Sequence, residues 1–214
     1  MNKAKISVSV DDGHPMDLRV AEILLKKSIP AIFYIPIKNR GGLKRLRDKE
    51  IKYLSSHFEI GGHTYNHADL TSLSEEEAQK EIVDAKIELE GIITKKIVSF
   101  APPYGKFNNE ILRIIKSAGF NDVRSARTLN FREADRKNFL WHPNLHLYPH
   151  TLTKDIRDSI FCGDLYSASK ILKNWKLKHL DLLPILAKSL PKIHIWLHSW
   201  EIDKFGLWKM LENL

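Results

Sequence analysis

Short β-branched runs alternate with longer segments of helical period along most of the chain, and this alternation limits the fold more than any other feature. Residues 5–10 read as a buried strand, 15–28 as a helix opened by Pro15, and 31–37 as a second strand. A short helix over 48–56 precedes a third strand at 58–60. Ser74 and Glu77 form a capping box, and the helix it opens places Ile82, Ala85 and Leu89 on one face as far as about Glu90. A strand at 97–100, a helix at 108–117 stopped by Gly119, and a strand at 122–128 continue the series. Between Leu129 and Pro191 the pattern weakens; 142–148 reads as a strand and 167–190 as largely helical. The apolar strand 193–197 and a helix over 203–213 close the chain. Such alternation predicts an α/β protein built on a parallel sheet, and no repeat, low-complexity segment or linker divides residues 1–214 into more than one domain.

Charge and cysteine content narrow the function classes. The 34 Lys and Arg exceed the 26 Asp and Glu, giving a net charge of +8. The basic residues are spread from Lys3 to Lys209 and are densest at Lys38–Arg40 with Lys44, Arg45 and Arg47, the pattern of a solvated surface. No zinc knuckle or helix-turn-helix accompanies them, so no nucleic-acid partner is expected, whereas peripheral contact with an anionic membrane surface is compatible with the excess. Cys162 is the single cysteine, which excludes an intramolecular disulfide and a thiolate zinc site. The first residues enter a strand without the apolar segment of a signal peptide, and no apolar run approaches the roughly 20 residues that span a bilayer. A cytoplasmic protein is the expectation.

Chemistry-bearing residues recur where strands should end. Asp11 and Asp12 follow the first strand; Asp12-Gly13 also suits a turn, but the C-terminal edge of a parallel strand is where α/β proteins place active sites. His63 and His67 follow Gly61-Gly62, and they share a face if the segment is helical; joined to a carboxylate from another strand, they form a two-His-one-carboxylate site with open positions for water. Pro102-Pro103-Tyr104-Gly105 reads either as a strand-to-helix turn or as a rigid loop that frees the Tyr104 N–H for an oxyanion. The last strand brings His198 to the same edge, with Trp196 on the same face by period two.

Together these four segments resemble the polysaccharide deacetylase family, also called the NodB-homology domain or carbohydrate esterase family four. The likeness is most specific at Ile60–Glu77 and covers roughly residues 5–120 and 192–198. It implies a distorted (β/α) barrel of about seven units, TIM-barrel-like but smaller than the usual eight-unit form. It also implies roles: Asp12, His63 and His67 as ligands of a divalent metal, expected to be Zn²⁺ with Co²⁺ or Ni²⁺ as alternatives. Asp11 would be the base that deprotonates metal-bound water, Tyr104 the oxyanion N–H, and His198 the acid that protonates the leaving amine. Pro102 and Trp196 would contact substrate, and His146, in a stretch that the resemblance does not cover, is a further candidate for substrate contact or else an ordinary loop histidine. The implied reaction removes an N-acyl group, most simply acetyl, from an amino sugar in a saccharide or glycoconjugate. The alternatives are hydrolysis of another amide or ester on a carbohydrate-linked substrate, and a non-catalytic saccharide-binding relative.

Three positions depart from the family pattern. Ala101 stands where an Arg usually precedes Pro-Pro-Tyr and holds the catalytic Asp, so Arg124 or Arg127 is the candidate to orient Asp11. No Asp-Trp segment follows Thr128; Glu201 or Asp203 is the candidate to tune His198, with Asp203 alternatively capping a helix. Trp196 replaces a common Leu and would narrow the acyl pocket. In the unmatched stretch 141–150, an extended backbone would put His142, Asn144 and His146 on one face at the barrel mouth, while Pro143 and Pro149 disfavour a helical three-His site.

Overall fold

Period-two alternation sorts the first strand, β1 (Lys5–Asp11): Val8 and Val10 enter the apolar core, while Ser7 and Ser9 bond the His194 ring on the opposite face. The computed structural model describes residues 4–39 and 41–214, so Lys3 and Arg40 of the basic set lie outside the described residues. The other strands are β2 (Ala31–Ile35), β3 (Glu59–Gly62), β4 (Ser99–Phe100), β5 (Asp122–Arg124), β6 (Leu140–Trp141), β7 (Leu145–His146) and β8 (Lys192–His198). They pair in parallel in the order β6-β5-β4-β3-β2-β1-β8-β7.

The two edges of that sheet lie on one stretch of chain. Leu140 and Trp141 pair with β5, and Leu145 and His146 pair with β8, so residues 140–146 bring the curled sheet round on itself. Counting β6 and β7 as two halves of a broken strand gives seven positions around a distorted (β/α) barrel, as expected. Pro143, which has no N–H to give a ladder, sits at the break. Asn144 stabilises it, accepting from the His194 N–H at 2.9 Å and donating to the Asn130 and Arg132 carbonyls at 3.0 and 2.7 Å.

Helices cover the outside: α1 (Asp17–Lys26), α2 (Asp48–His57), α3 (Glu75–Ile93), α4 (Asn109–Ser117), α5 (Leu152–Phe161), α6 (Leu165–Lys173), α7 (Leu183–Ser189), α8 (Ser199–Lys204) and α9 (Trp208–Glu212). The main core lies between them and the sheet, where Val20 and Leu24 of α1 and Ile82, Ala85 and Leu89 of α3 meet Phe33, Ile35, Ile195 and Leu197. The predicted capping box is present: the Ser74 Oγ accepts from the Glu77 N–H at 3.3 Å and the Glu77 carboxylate accepts from the Ser74 N–H at 2.9 Å. No helix among the described residues is long and apolar enough to cross a membrane.

Several expected elements are shorter or divided. The strand expected over 122–128 ends at Arg124, because Arg127 turns away to pair with buried Asp164 at 2.8 Å. The helix expected over 167–190 is two, α6 and α7, and α7 restarts at Pro184 in its first turn. The helix over 203–213 breaks at Gly206, which has a left-handed φ of 65°. Asp203 therefore ends α8 and caps no helix start; it accepts from the Trp208 indole at 3.0 Å. Helix α5 was not expected, since its buried face carries Asp155 and Ser159 and so escapes a hydrophobic reading.

Candidate active site

In an all-parallel sheet every strand ends at the same rim, and here that rim encloses a cavity of about 320 Å³. Asp11, Asp12, His63, His67, Pro102, Tyr104, His146, Trp196 and His198, each singled out from sequence, all line it. Asp11 and His198 are register partners at the ends of β1 and β8. Consecutive strand residues normally face opposite ways, but Asp12 leaves the strand with φ 77°, which lets both carboxylates face one space.

His63 and His67 come together by a different route from the helix anticipated. The segment is a loop in which Thr64 and His67 adopt left-handed backbone with φ of 64° and 52°. With Asp12 and Tyr104 (φ 60°), these make a cluster of strained non-glycine residues around the cavity, the placement such strain usually has. Gly61 permits a close approach of neighbouring chains: a Cβ there would lie 2.4 Å from the Tyr34 ring and 3.0 Å from the Ser99 carbonyl.

The donor set fits a divalent cation. The Asp12 Oδ1 lies 3.5 Å from the His63 Nε2 and 3.1 Å from the His67 Nε2, and it is buried without a hydrogen-bond partner among the described residues. His63 hydrogen-bonds the Ala101 carbonyl through Nδ1 at 2.6 Å, which directs Nε2 into the cavity. The Trp200 indole donates to the Asp12 Oδ2 at 2.9 Å and the Asn39 amide to the Asp12 carbonyl at 2.8 Å, fixing the carboxylate. Burial opposes the charge on Asp12, yet His198, His63 and His67 hold its carboxyl well below the usual range. Two imidazoles and a carboxylate leave coordination positions open, as a catalytic zinc-type site requires.

Around this trio stand the proposed acid and base. Asp11 accepts a hydrogen bond from the buried Arg124 guanidinium, and its Oδ1 has no partner among the described residues. Of the two candidates, Arg124 is thus the one that contacts Asp11, while Arg127 pairs with Asp164. His198 shares a 2.6 Å hydrogen bond with Glu201 through Nδ1, and its Nε2 lies 3.8 Å from the Asp12 Oδ2. Burial disfavours its charge, but Asp12, Glu201 and Asp11 together raise the imidazole to about 9. The Tyr104 N–H has no hydrogen-bond partner among the described residues, while its hydroxyl meets the His67 Nδ1 at 3.2 Å.

Of the stretch 141–150, only part reaches the cavity. His146 stacks on Trp196 with ring centroids 3.6 Å apart and shares a 2.8 Å hydrogen bond with His150. His142 instead bonds the Ser125 hydroxyl at 2.7 Å, and Asn144 is committed to the strand break, so the single lining face expected of His142, Asn144 and His146 does not form. Trp200, His150 and Lys154 also line the cavity and were not singled out as site residues. Trp200 follows His198 by two residues, but it lies on a helix, where period two no longer reports direction.

Burial foremost, with the charge of His179 behind it, lowers His150 to about 4, and burial lowers His146 to about 3. An unfolded His titrates near 6.5, so between that pH and 4 the unfolded chain binds more protons and stability falls on acidification. His150→Gln is therefore expected to flatten the fall of the unfolding temperature over this window. A profile that matches the unsubstituted protein would show that His150 does not contribute.

Comparison with known proteins places these features in a family. The polysaccharide deacetylase model matches residues 1–123. A chitooligosaccharide deacetylase from Azorhizobium caulinodans is 31% identical over 130 residues, covering 57% of this chain and 58% of its own length. A peptidoglycan-N-acetylglucosamine deacetylase from Bacillus cereus is 27% identical over 126 residues, covering 57% of this chain and 56% of its own. The chain spans 42% to 64% of the length of such curated relatives. In fold it is similar to the Xyl-CE4 domain of a multidomain xylanase from the hindgut metagenome of Trinervitermes trinervoides, with a TM-score of 0.56 and 14% identity over 99% of this chain and 81% of that one. With more than half of its residues matched, the chain belongs to the polysaccharide deacetylase family.

Proposed function

We propose that this protein is a metal-dependent hydrolase that removes an N-acyl group, acetyl in the simplest case, from an amino sugar in a saccharide or glycoconjugate. The observation that carries this reading is the buried, unpartnered Asp12 Oδ1 beside two imidazole nitrogens, flanked by a free carboxylate oxygen on Asp11 and by His198. Asp12, His63 and His67 would hold the cation, with Zn²⁺ favoured by the donor set and Co²⁺ or Ni²⁺ as substitutes. When bound, such a cation supplies Lewis acidity, lowering the pKa of water and polarising a carbonyl.

The chain's own groups account for the proton movements. Asp11 Oδ1 is the acceptor for the proton of the attacking water, and the Arg124 ion pair on its other oxygen holds the carboxylate in place. The Tyr104 N–H is the donor to the oxyanion. His198, oriented through Nδ1 by Glu201, gives the Nε2 proton to the departing amine, which must leave protonated because an amide anion is a poor leaving group. The stacked Trp196 and His146 rings form one wall and favour a short acyl group.

Chelator-stripped protein is expected to stop releasing acetate from N-acetylglucosamine oligomers and to recover with added Zn²⁺ or Co²⁺. Activity that survives complete metal removal would overturn the reading. His63→Ala should in parallel lower the bound zinc measured by elemental analysis.

A further inference from the structure

Helices α5 and α6 form a hairpin that buries one side and leaves an apolar strip on the other. Ile160 and Phe161 at the end of α5, Leu165 and Leu172 on α6, and Trp175 just beyond it are all exposed, Phe161 by 91% and Trp175 by 67%. Leu165 and Leu172 are seven residues apart and so share one helix face. Isolated exposed apolar residues are ordinary, but this many large ones within 160–175 form a patch that marks an interaction surface.

The charges around the strip say what kind of surface it meets. Arg157, Lys170, Lys173, Lys176 and Lys178 belong to the same segment. Two of its three carboxylates are buried and already used: Asp155 by His179 at 2.7 Å, and Asp164 by Arg127. The third, Asp158, pairs with Lys154 at 2.6 Å and lies 3.7 Å from the Arg157 guanidinium. Lys170 and Lys176 lie beside the Tyr166 and Trp175 rings at 5.4 and 5.7 Å. Lys170, Lys173 and Lys176 have no ion-pair partner among the described residues, and apolar and aromatic side chains rimmed by such lysines are the make-up of a helix that lies in a bilayer interface, with rings at the headgroup level and lysines among anionic lipid phosphates. A second copy of the chain fits less well, because a twofold contact through this patch would set lysines against lysines.

We infer that the α5–α6 hairpin docks the protein peripherally on an anionic lipid surface. The strip begins at Ile160, six residues along α5 from Lys154 on the cavity rim and so ~9 Å away, and docking therefore holds the cavity mouth close to the membrane. This inference stands apart from the deacetylation reading, since it depends on no residue of the Asp12–His63–His67 group.

The single cysteine, Cys162, is exposed within the strip and gives the test its probe. Full-length protein labelled there with an environment-sensitive dye is titrated with vesicles of phosphatidylcholine, with or without phosphatidylglycerol. The expected result is a blue shift with phosphatidylglycerol vesicles that weakens as salt is added and is absent with phosphatidylcholine alone. Lys173→Glu with Lys176→Glu should weaken partitioning at least about tenfold. In co-sedimentation of unlabelled protein, Phe161→Ser with Trp175→Ser should do the same; all four side chains are exposed, so an unchanged circular dichroism spectrum confirms folding. No shift and no co-sedimentation with either vesicle overturns the inference. So does a vesicle-free dimer, seen by analytical ultracentrifugation, that the same substitutions dissociate.

Discussion

Asp11→Asn is expected to lower turnover by about two to four orders of magnitude, the usual contribution of a positioned general base. The substitution is isosteric, and the amide oxygen still accepts from Arg124, so the change falls on the atom that is free to take a proton. Asp11 lies outside the Asp12–His63–His67 group, and zinc content should stay at the unsubstituted level. The pairing of these two measurements matters. Lost turnover with retained metal assigns Asp11 to proton transfer, whereas lost metal would make it a ligand. Turnover above about a tenth of the original would remove it from the base role.

The second large effect concerns Arg124, and it appears first in stability. Its guanidinium is buried between the Tyr34 and Trp196 rings, each centroid 5.0 Å away, and donates to Asp11 and to the Ser125 carbonyl at 3.0 Å. Arg124→Met leaves the Asp11 charge buried without its partner. Breaking such a pair from one side costs about 3–5 kcal/mol, which at this chain length lowers the unfolding temperature by roughly 6–20 °C. Turnover should fall as well, since Asp11 loses the group that fixes its orientation. Adding Asp11→Asn to Arg124→Met removes the stranded charge, so the double variant should be more stable than Arg124→Met alone. Arg124→Lys should fall between, because an ammonium keeps the charge but not the planar fork. Strictly additive stability losses would show that the two side chains are not coupled.

The same pair shows how far the site was readable beforehand. Asp11, Asp12, His63, His67 and His198 sit where runs of strand character stop, and strand ends can be located from residue order. The choice between Arg124 and Arg127 cannot be made that way. The two are three residues apart on one segment, and what separates them is that Arg124 is still in β5, facing inward, while Arg127 has left the sheet toward Asp164. Glu201 and Asp203 pose the same problem. The turn of α8 brings Glu201, three residues on, back to His198, and carries Asp203 to Trp208. Helix α5 stayed hidden because polar residues occupy its buried face, and the partners of Asp155 there, His179 and Thr128, lie far along the chain.

Residue order by itself established a parallel α/β chain, the capping box at Ser74, and a metal-type donor set, since each of these follows from patterns a few residues long. Folding supplied the rest: a loop of left-handed residues in place of a helix at His63–His67, a broken strand at 140–146 on which both sheet edges meet, and the joining of Asp11 to Arg124 across 113 positions. Periodicity reports which way a side chain points relative to its neighbours. Which distant side chain it then meets depends on how the sheet curls, and that is a property of all its strands together.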